Sequence, residues 1–147
     1  RPWHENLSKR QVKSPRLYVR DTGLLHALLG LADLRAIERH PKLGASWEWF
    51  AMQAVVRKLG AQPRETSFWR THQGAELDLL VVRGSTRRGF EIKRTDSPRV
   101  TVSMRYALDD LKLDSLDVIH AGEDTYPLGE RVRAVALRDV LHRLEPL

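Results

Sequence analysis

Four ionisable side chains lie in a stretch of the sequence that otherwise alternates like two short apolar strands joined by a turn. They are Glu76, Asp78, Glu91 and Lys93. Successive side chains of a strand point to opposite faces, so Glu91 and Lys93 share one face of their strand. A turn near Ser85 makes the two strands a hairpin and places Asp78 beside Glu91–Lys93. Three ionisable groups are therefore expected to meet at the end of a mostly apolar face.

Two kinds of chemistry fit such a cluster, and the residues alone leave both open. On an exposed face, the four side chains would form a ladder of surface ion pairs. The second half of the strand 75–83 is apolar on both faces, however, which predicts a central strand covered by helices. Carboxylates that are partly buried there cost several kcal/mol each unless a partner compensates them. A divalent cation together with Lys93 would do so, which makes a metal site the other interpretation.

A further acid, Glu48, is predicted to join the cluster from a helix that runs from Ser46 to about Leu59. The positions three, four, seven and eight residues after Glu48 are apolar, so it falls on the flank that is predicted to be buried. A competing explanation is that the helix dipole favours an acid in the first turn, behind a Ser46 cap, by roughly 0.3–1 kcal/mol. The solvent stripe of this helix is predicted to follow Trp49, Gln53 and Arg57.

The elements around these residues predict one mixed α/β domain whose central sheet is flanked by helices. A short helix follows Asp21 and a second covers about 32–39, before the helix that carries Glu48. Three successive strands, 66–70, 75–83 and 88–94, then form a meander. A helix within 100–111, strands at about 116–121 and 131–137, and a closing helix complete the predicted order.

Basic residues are concentrated in two places along a chain of 147 residues whose net charge is +6. Residues 1–20, interpreted as a basic N-terminal arm, contain six Lys or Arg residues against one acid. A second basic run surrounds the hairpin. Clustered basic charge is typical of proteins that bind a phosphate backbone, although a solvated face gives the same pattern. The residues predicted to contact nucleic acid are Lys9, Arg10, Lys13, Arg87, Arg88 and Arg94.

Several classes of site are excluded by composition and spacing. The chain has no cysteine, which rules out disulfides and Cys-based zinc sites. Gly84–Gly89 has the glycine spacing of a phosphate loop, but Phe90-Glu91 replaces the required Lys-Ser/Thr and a strand follows, so no nucleotide site is expected. The first residues do not resemble a signal peptide and no apolar run reaches the length of a membrane helix, so a cytoplasmic location without membrane contact is expected.

Taken in order, the acid-bearing residues resemble the PD-(D/E)XK nuclease superfamily, whose core has a helix with an acid, a strand with the Asp, and a strand with (D/E)-x-K. Nearly the whole chain from about Lys9 is also similar to the uncharacterised domain at the C-terminus of many bacterial and archaeal AAA-type ATPases. The motifs that carry the resemblance are KSPRLYVRDTGL (13–24), GASWEWF (44–50), RTHQGAELDLL (70–80) and FEIK (90–93).

The resemblance implies a restriction-endonuclease-like core for residues 21–147, in a longer protein whose ATPase module precedes it. The function that it implies is Mg²⁺-dependent, or Mn²⁺-dependent, cleavage of DNA phosphodiesters. The superfamily also contains members that bind DNA without cutting it. A catalytically inactive DNA-binding or protein-docking module of the ATPase is therefore the alternative.

Within the nuclease hypothesis, each residue of the cluster has an expected role. Asp78 and Glu91 would bind the metal, since Mg²⁺ accepts one or two carboxylates and keeps several waters. Lys93, with a pKa depressed by the nearby cation and by desolvation, would orient or deprotonate the attacking water. Glu48 would act through a water or help with a second ion. Two further candidates, for charge balance and for a phosphate contact, are Glu76 and Arg70.

Overall fold

The computed structural model describes residues 1–3 and 21–146, and it places a six-stranded mixed sheet at the centre of the chain. The strand order is β1-β2-β3-β4-β6-β5. Strands β1 to β3 form the antiparallel meander, β3, β4 and β6 are parallel, and β5 pairs antiparallel with β6. The strands are β1 (Thr66–Arg70), β2 (Glu76–Arg83), β3 (Thr86–Lys93), β4 (Ser115–His120), β5 (Tyr126–Pro127) and β6 (Val132–Ala136). The predicted α/β class, with a meander followed by a helix and further strands, is confirmed.

Helices cover both faces of this sheet. One face packs against α3 and α5 through a core that includes Val55, Phe90 and Leu144, and the other packs against α4 through a core that includes Leu77 and Met104. The helices are α1 (Thr22–Leu28), α2 (Leu34–Arg39), α3 (Leu43–Leu59), α4 (Val102–Asp110) and α5 (Val140–Arg143), the last preceded by a 3₁₀ turn, Leu137–Asp139. Strand β2 is thus covered on both sides, as its two apolar faces predict. No helix in the described part of the chain is both long and apolar enough to cross a membrane.

Side-chain caps explain where three of the helices begin. The carboxylates of Asp21 and Asp33 accept hydrogen bonds from the backbone N–H groups of the third residues of α1 and α2, each at 2.8 Å. Thr101 caps α4 in the same way. Such caps satisfy donors that have no partner within the helix.

Helix α3 begins earlier than predicted, and this changes the interpretation of Ser46. The helix starts at Leu43, so Ser46 lies inside it rather than at its cap. Its hydroxyl is buried and lies 2.6 Å from Nε2 of His26, which joins α3 to α1. Glu48 consequently lies beyond the first turn, where the helix dipole has little effect. The dipole explanation for Glu48 is therefore wrong.

Part of the predicted basic arm, residues 4–20, lies outside the described residues, and with it Lys9, Arg10 and Lys13. Residues 1–3 run beside the sheet edge. Pro2 forms a parallel bridge with Phe68 of β1, whose N–H donates to the carbonyl of Arg1 while Trp3 N–H donates to the Phe68 carbonyl. The first residues thus cover part of the edge strand.

A buried ion-pair cluster joins strands β3, β4 and β6 on the α5 face. Asp117 is 3% exposed and receives the guanidinium of Arg133 on both carboxylate oxygens, at 2.9 and 3.3 Å. Arg88 lies 3.5 Å from the same carboxylate, donates to the carbonyl of Glu145 at 2.7 Å, and has a side chain that is only 12% exposed. This placement argues against the predicted nucleic-acid contact of Arg88.

Arg87 is also engaged within the protein. Its guanidinium donates to the carbonyl of Leu111 and lies over the ring of Trp3, and its backbone N–H donates to Asp114. Of the arginines predicted near the hairpin to bind nucleic acid, Arg94 is the one that the structure leaves exposed, directly after β3.

We expect Asp117→Asn to lower the free energy of unfolding by about 2–4 kcal/mol, because it leaves the nearly buried Arg88 without a counter-charge. Urea unfolding followed by circular dichroism measures the change. The matched control is Asp109→Asn, which removes an exposed pair with Arg131 at 3.8 Å and should cost under about 0.5 kcal/mol. Equal losses in the two variants would contradict a structural role for the Asp117 cluster.

Candidate metal and phosphodiester site

The site lies where the regular pairing of β2 with β3 ends. The hairpin turns at Gly84-Ser85, with Gly84 at φ +60°, and its ladder runs from Arg83↔Thr86 to Leu79↔Phe90. Beyond that pair, the Asp78 carboxylate accepts the Ile92 N–H at 2.9 Å. On the other side of β2, the register with β1 shifts by one residue between Ser67 and Trp69. Irregular pairing of this kind re-aims side chains, and here it affects Asp78.

Strict alternation therefore fails along β2. Regular alternation would put Leu77 and Leu79 on one face, but Leu77 packs in the α4-side core and Leu79 in the α3-side core. The register shift next to Asp78 accounts for the change. The position of Asp78 along the hairpin nevertheless agrees with the prediction, because its carboxylate lies beside Glu91–Lys93.

In the described part of the chain, the buried carboxylate of Glu91 has an ion-pair partner on only one of its two oxygens. Glu91 is 2% exposed, and the Lys93 ammonium lies 2.7 Å from its Oε1. Among the described residues, its Oε2 has no hydrogen-bond partner although it is buried. Leaving a buried charged oxygen without a partner costs more than a typical hydrogen bond contributes. This oxygen is the feature of the site that packing alone does not explain.

Burial raises the pKa of Glu91 to about 7, and the charge of Asp78 adds to this effect. The hydrogen bond and charge of Lys93 oppose the increase without cancelling it. Burial lowers the pKa of Lys93, but the hydrogen bond to Glu91 and the charges of Glu91, Asp78 and Glu76 outweigh it, and the net shift is upward. The depressed pKa predicted for Lys93 applies to the cation-bound site and stays a prediction, because without a cation the neighbours of Lys93 are acids.

The two further candidates lie at the margin of the cluster. Glu76 is partly exposed, and one of its carboxylate oxygens lies 3.7 Å from Nε of the exposed Arg70. The charge of Glu76 contributes to the raised pKa values of both Glu91 and Lys93. Glu76 therefore belongs to the electrostatic environment of the site, while Arg70 lies on its solvent side.

Glu48 is exposed, so the prediction that it falls on a buried flank is wrong. Of the four apolar positions that defined this flank, Ala51 and Val55 are fully buried, whereas Met52 and Val56 are only partly buried and line an open groove. Apolar neighbours at helical spacing mark a face but do not show whether another element covers it. The structure thus places Glu48 at the exposed surface of α3 and not in the core.

That groove lies between α3 and β1 and has a volume of about 860 Å³. Asp78 and Leu79 line it, as do Phe68 of β1 and a stripe of α3 that includes Trp49. The sequence assigned Trp49 to solvent, whereas it is half-buried here. Because α3 is partly polar on this side, the sequence pattern could not separate a groove wall from a solvated face.

The donor set fits one hard divalent cation. Asp78 and Glu91 supply two carboxylates that repel each other, and Oε2 of Glu91 has no hydrogen-bond partner among the described residues. Mg²⁺ needs no more than one or two carboxylates when waters complete its coordination shell. Across residues 1–3 and 21–146, no group of three or more His, Asp or Glu side chains is arranged to hold a metal by itself. A cation here would depend on water and substrate for its other ligands.

Comparison with known proteins places the chain among relatives of unknown function. Residues 43–140 match the family described as "Domain of unknown function (DUF4143)", and residues 1–35 match another, DUF8612. Uncharacterized proteins of Mycobacterium tuberculosis and Mycobacterium bovis are each 49% identical over 140 residues, which is 95% of this chain and 31% of the relative. The chain therefore spans about a third of the length of these curated relatives.

The raised pKa of Glu91 predicts a specific dependence of stability on pH. Because its folded-state pKa of about 7 exceeds the ordinary 4.5, the stabilisation that protonated Glu91 gives is complete below pH 4.5 and is lost as the pH rises through 7. Glu91→Gln removes the titrating carboxyl group and with it this pH-dependent loss of stability. Relative to the unmodified chain, its free energy of unfolding should increase between pH 5 and 8 by about 1–3 kcal/mol.

Urea unfolding in EDTA across this pH range measures the effect. Glu130→Gln changes an exposed glutamate in the same way and serves as the control, with an expected effect under about 0.5 kcal/mol at every pH. A Glu91→Gln difference that stays constant with pH would show that burial does not raise the pKa of Glu91.

Proposed function

The chain belongs to the DUF4143 family, and we propose that it is a divalent-cation-dependent phosphodiesterase domain that acts on DNA and is attached to an ATPase in the longer protein. The observation that carries this proposal is the buried Glu91 carboxylate, whose Oε2 has no hydrogen-bond partner among the described residues and which lies beside Asp78. The similarity to the PD-(D/E)XK superfamily in the order helix acid, strand Asp and E-x-K strand supports it.

Asp78 and Glu91 would hold the cation, which we propose to be Mg²⁺ or Mn²⁺. When bound, such an ion makes a water more acidic and stabilises negative charge on the phosphate. Asp78 is held in place by the Ile92 N–H, so one of its oxygens is oriented by the backbone of β3. Glu91 is held by the rigid parallel pairing of β3 with β4, where it lies beside Val118.

Lys93 is the residue best placed to act on the substrate. Its side chain is 42% exposed, and its ammonium already lies at the carboxylate that would hold the cation. In the metal-free protein, desolvation opposes but does not cancel the rise in its pKa from the hydrogen bond and charge of Glu91, so Lys93 is an ammonium that can orient a water or bind a phosphate oxygen. Arg70, Arg94 and Glu48 are exposed near the ends of their elements and would contact the substrate outside the metal site.

An inactive DNA-binding or docking module remains the second candidate. The net charge of +6 and the exposed Arg94 favour nucleic-acid binding without any cation. The length of the curated relatives, of which this chain matches 31%, leaves room for a further module such as the proposed ATPase. Under this candidate, the partly compensated Glu91 is a remnant that costs stability and has no chemical role.

We expect the purified chain to cleave plasmid or oligonucleotide DNA in Mg²⁺ or Mn²⁺ and not in EDTA. Asp78→Asn, Glu91→Gln and Lys93→Ala should each lower the rate by about 100-fold or more, because each removes a group that acts on the reacting phosphate. Asp109→Asn and Glu130→Gln change exposed acids away from the site and serve as matched controls that keep full activity. Cleavage that persists in Lys93→Ala and Asp78→Asn would refute the proposed site.

Calorimetric titration distinguishes the two candidates when no cleavage is seen. Under the enzyme proposal, Mn²⁺ binds at one site and the Asp78→Ala variant loses this binding. Under the module proposal, DNA binds with a strong dependence on salt concentration and Mn²⁺ does not bind. Both measurements use the same protein preparation.

A further inference from the structure

The groove between α3 and β1 has a chemical character that the proposed metal site does not explain. Its α3 wall is one stripe of side chains at helical spacing, Trp49, Met52, Gln53, Val56 and Arg57. The opposite wall is edge strand β1, where Phe68 contributes a second aromatic ring. A helix face that packs against a sheet is continuously apolar, whereas this stripe includes an aromatic ring, a thioether, an amide and a cation.

The charged residues that line the groove in the described part of the chain are two arginines and one acid. Arg57, on α3, and Arg1, whose guanidinium donates to the carbonyl of Arg64, supply positive charge. Asp78 is the one acid among the described residues that line it, and it belongs to the candidate metal site. A polyanion that lies along the arginines is therefore brought to the carboxylate that would hold the cation.

We infer that this groove binds a single strand of DNA and delivers its backbone to Asp78. The inference rests on the proposed function and narrows its substrate class. Proteins that bind single strands combine a positively charged groove with aromatic side chains on which bases stack, and Trp49 and Arg57 supply these parts, while the buried Phe68 forms the floor of the groove. The groove, about 860 Å³ between a helix and a strand, is comparable in volume to a few nucleotides of one strand.

Fluorescence anisotropy with a labelled oligothymidylate of about ten nucleotides tests the inference, since sites for single strands commonly span roughly 4–16 nucleotides. The titration is made in EDTA, so that cleavage does not interfere, and is repeated with a duplex of the same length. The single strand should bind at least tenfold more tightly than the duplex. The reverse order, or equal affinities, would overturn the inference.

Two charge-reversal variants show whether the groove is responsible. Arg57→Glu should weaken binding of the single strand at least tenfold, whereas Arg105→Glu, on the exposed side of α4 across the sheet, should change it less than twofold. Both residues are exposed, so neither change is expected to unfold the protein. Equal weakening by the two variants would indicate attraction by net charge alone and would refute a groove site.

Trp49→Leu gives an independent test of base stacking. Its affinity for the single strand should fall at least fivefold, with the melting temperature as a check on folding. If the groove variants lose binding while no variant or cation condition gives cleavage, the groove inference holds and the nuclease proposal fails. If cleavage occurs and Arg57→Glu cleaves single strands and duplexes as the unmodified chain does, the nuclease proposal holds and the groove inference fails.

Discussion

The bond from the Ile92 N–H to the Asp78 carboxylate marks the point where regular sheet pairing ends and the candidate site begins. Up to Leu79↔Phe90, backbone groups of β2 and β3 satisfy each other, and beyond this pair a side chain takes the place of a backbone acceptor. Strand β3 therefore stays ordered by its parallel pairing with β4, while β2 is free to follow the shifted register of β1. The positions of Glu91 and Lys93 relative to Asp78 depend on this exchange.

Two buried acids in the same sheet are compensated in different ways, and the contrast bears on function. Asp117, on the α5 face, has guanidinium groups of Arg88 and Arg133 on its carboxylate. Glu91, on the opposite face, has Lys93 on one oxygen and no described hydrogen-bond partner on the other, and its pKa is raised to about 7. Full pairing is expected of an acid retained for structure, whereas strain of the Glu91 kind is more often kept at functional sites.

The groove between α3 and β1 connects the candidate metal site with the protein surface, because Asp78 lines it. Helix α3 uses one side, with Ala51, Val55 and Leu59, to bury the sheet, and a neighbouring side, with Trp49, Met52 and Arg57, to form a wall. The same helix therefore packs against the sheet and forms one wall of the groove. Because the carboxylates come from the central strands and the groove from the sheet edge, the proposed substrate contacts would be able to vary without disturbing the carboxylates.

The strands of the hairpin, its turn, and hence the meeting of Asp78 with Glu91 and Lys93 can be predicted from the amino-acid sequence, because they follow from local alternation and turn residues. The helices that begin at side-chain caps can be predicted in the same way. Four features become visible only in the folded chain: Glu48 is exposed, Arg88 is internal, Leu77 and Leu79 face different cores, and the pKa of Lys93 is raised. Each of these depends on which element covers a face or which charge lies nearby in space, and periodicity along the chain does not contain that information.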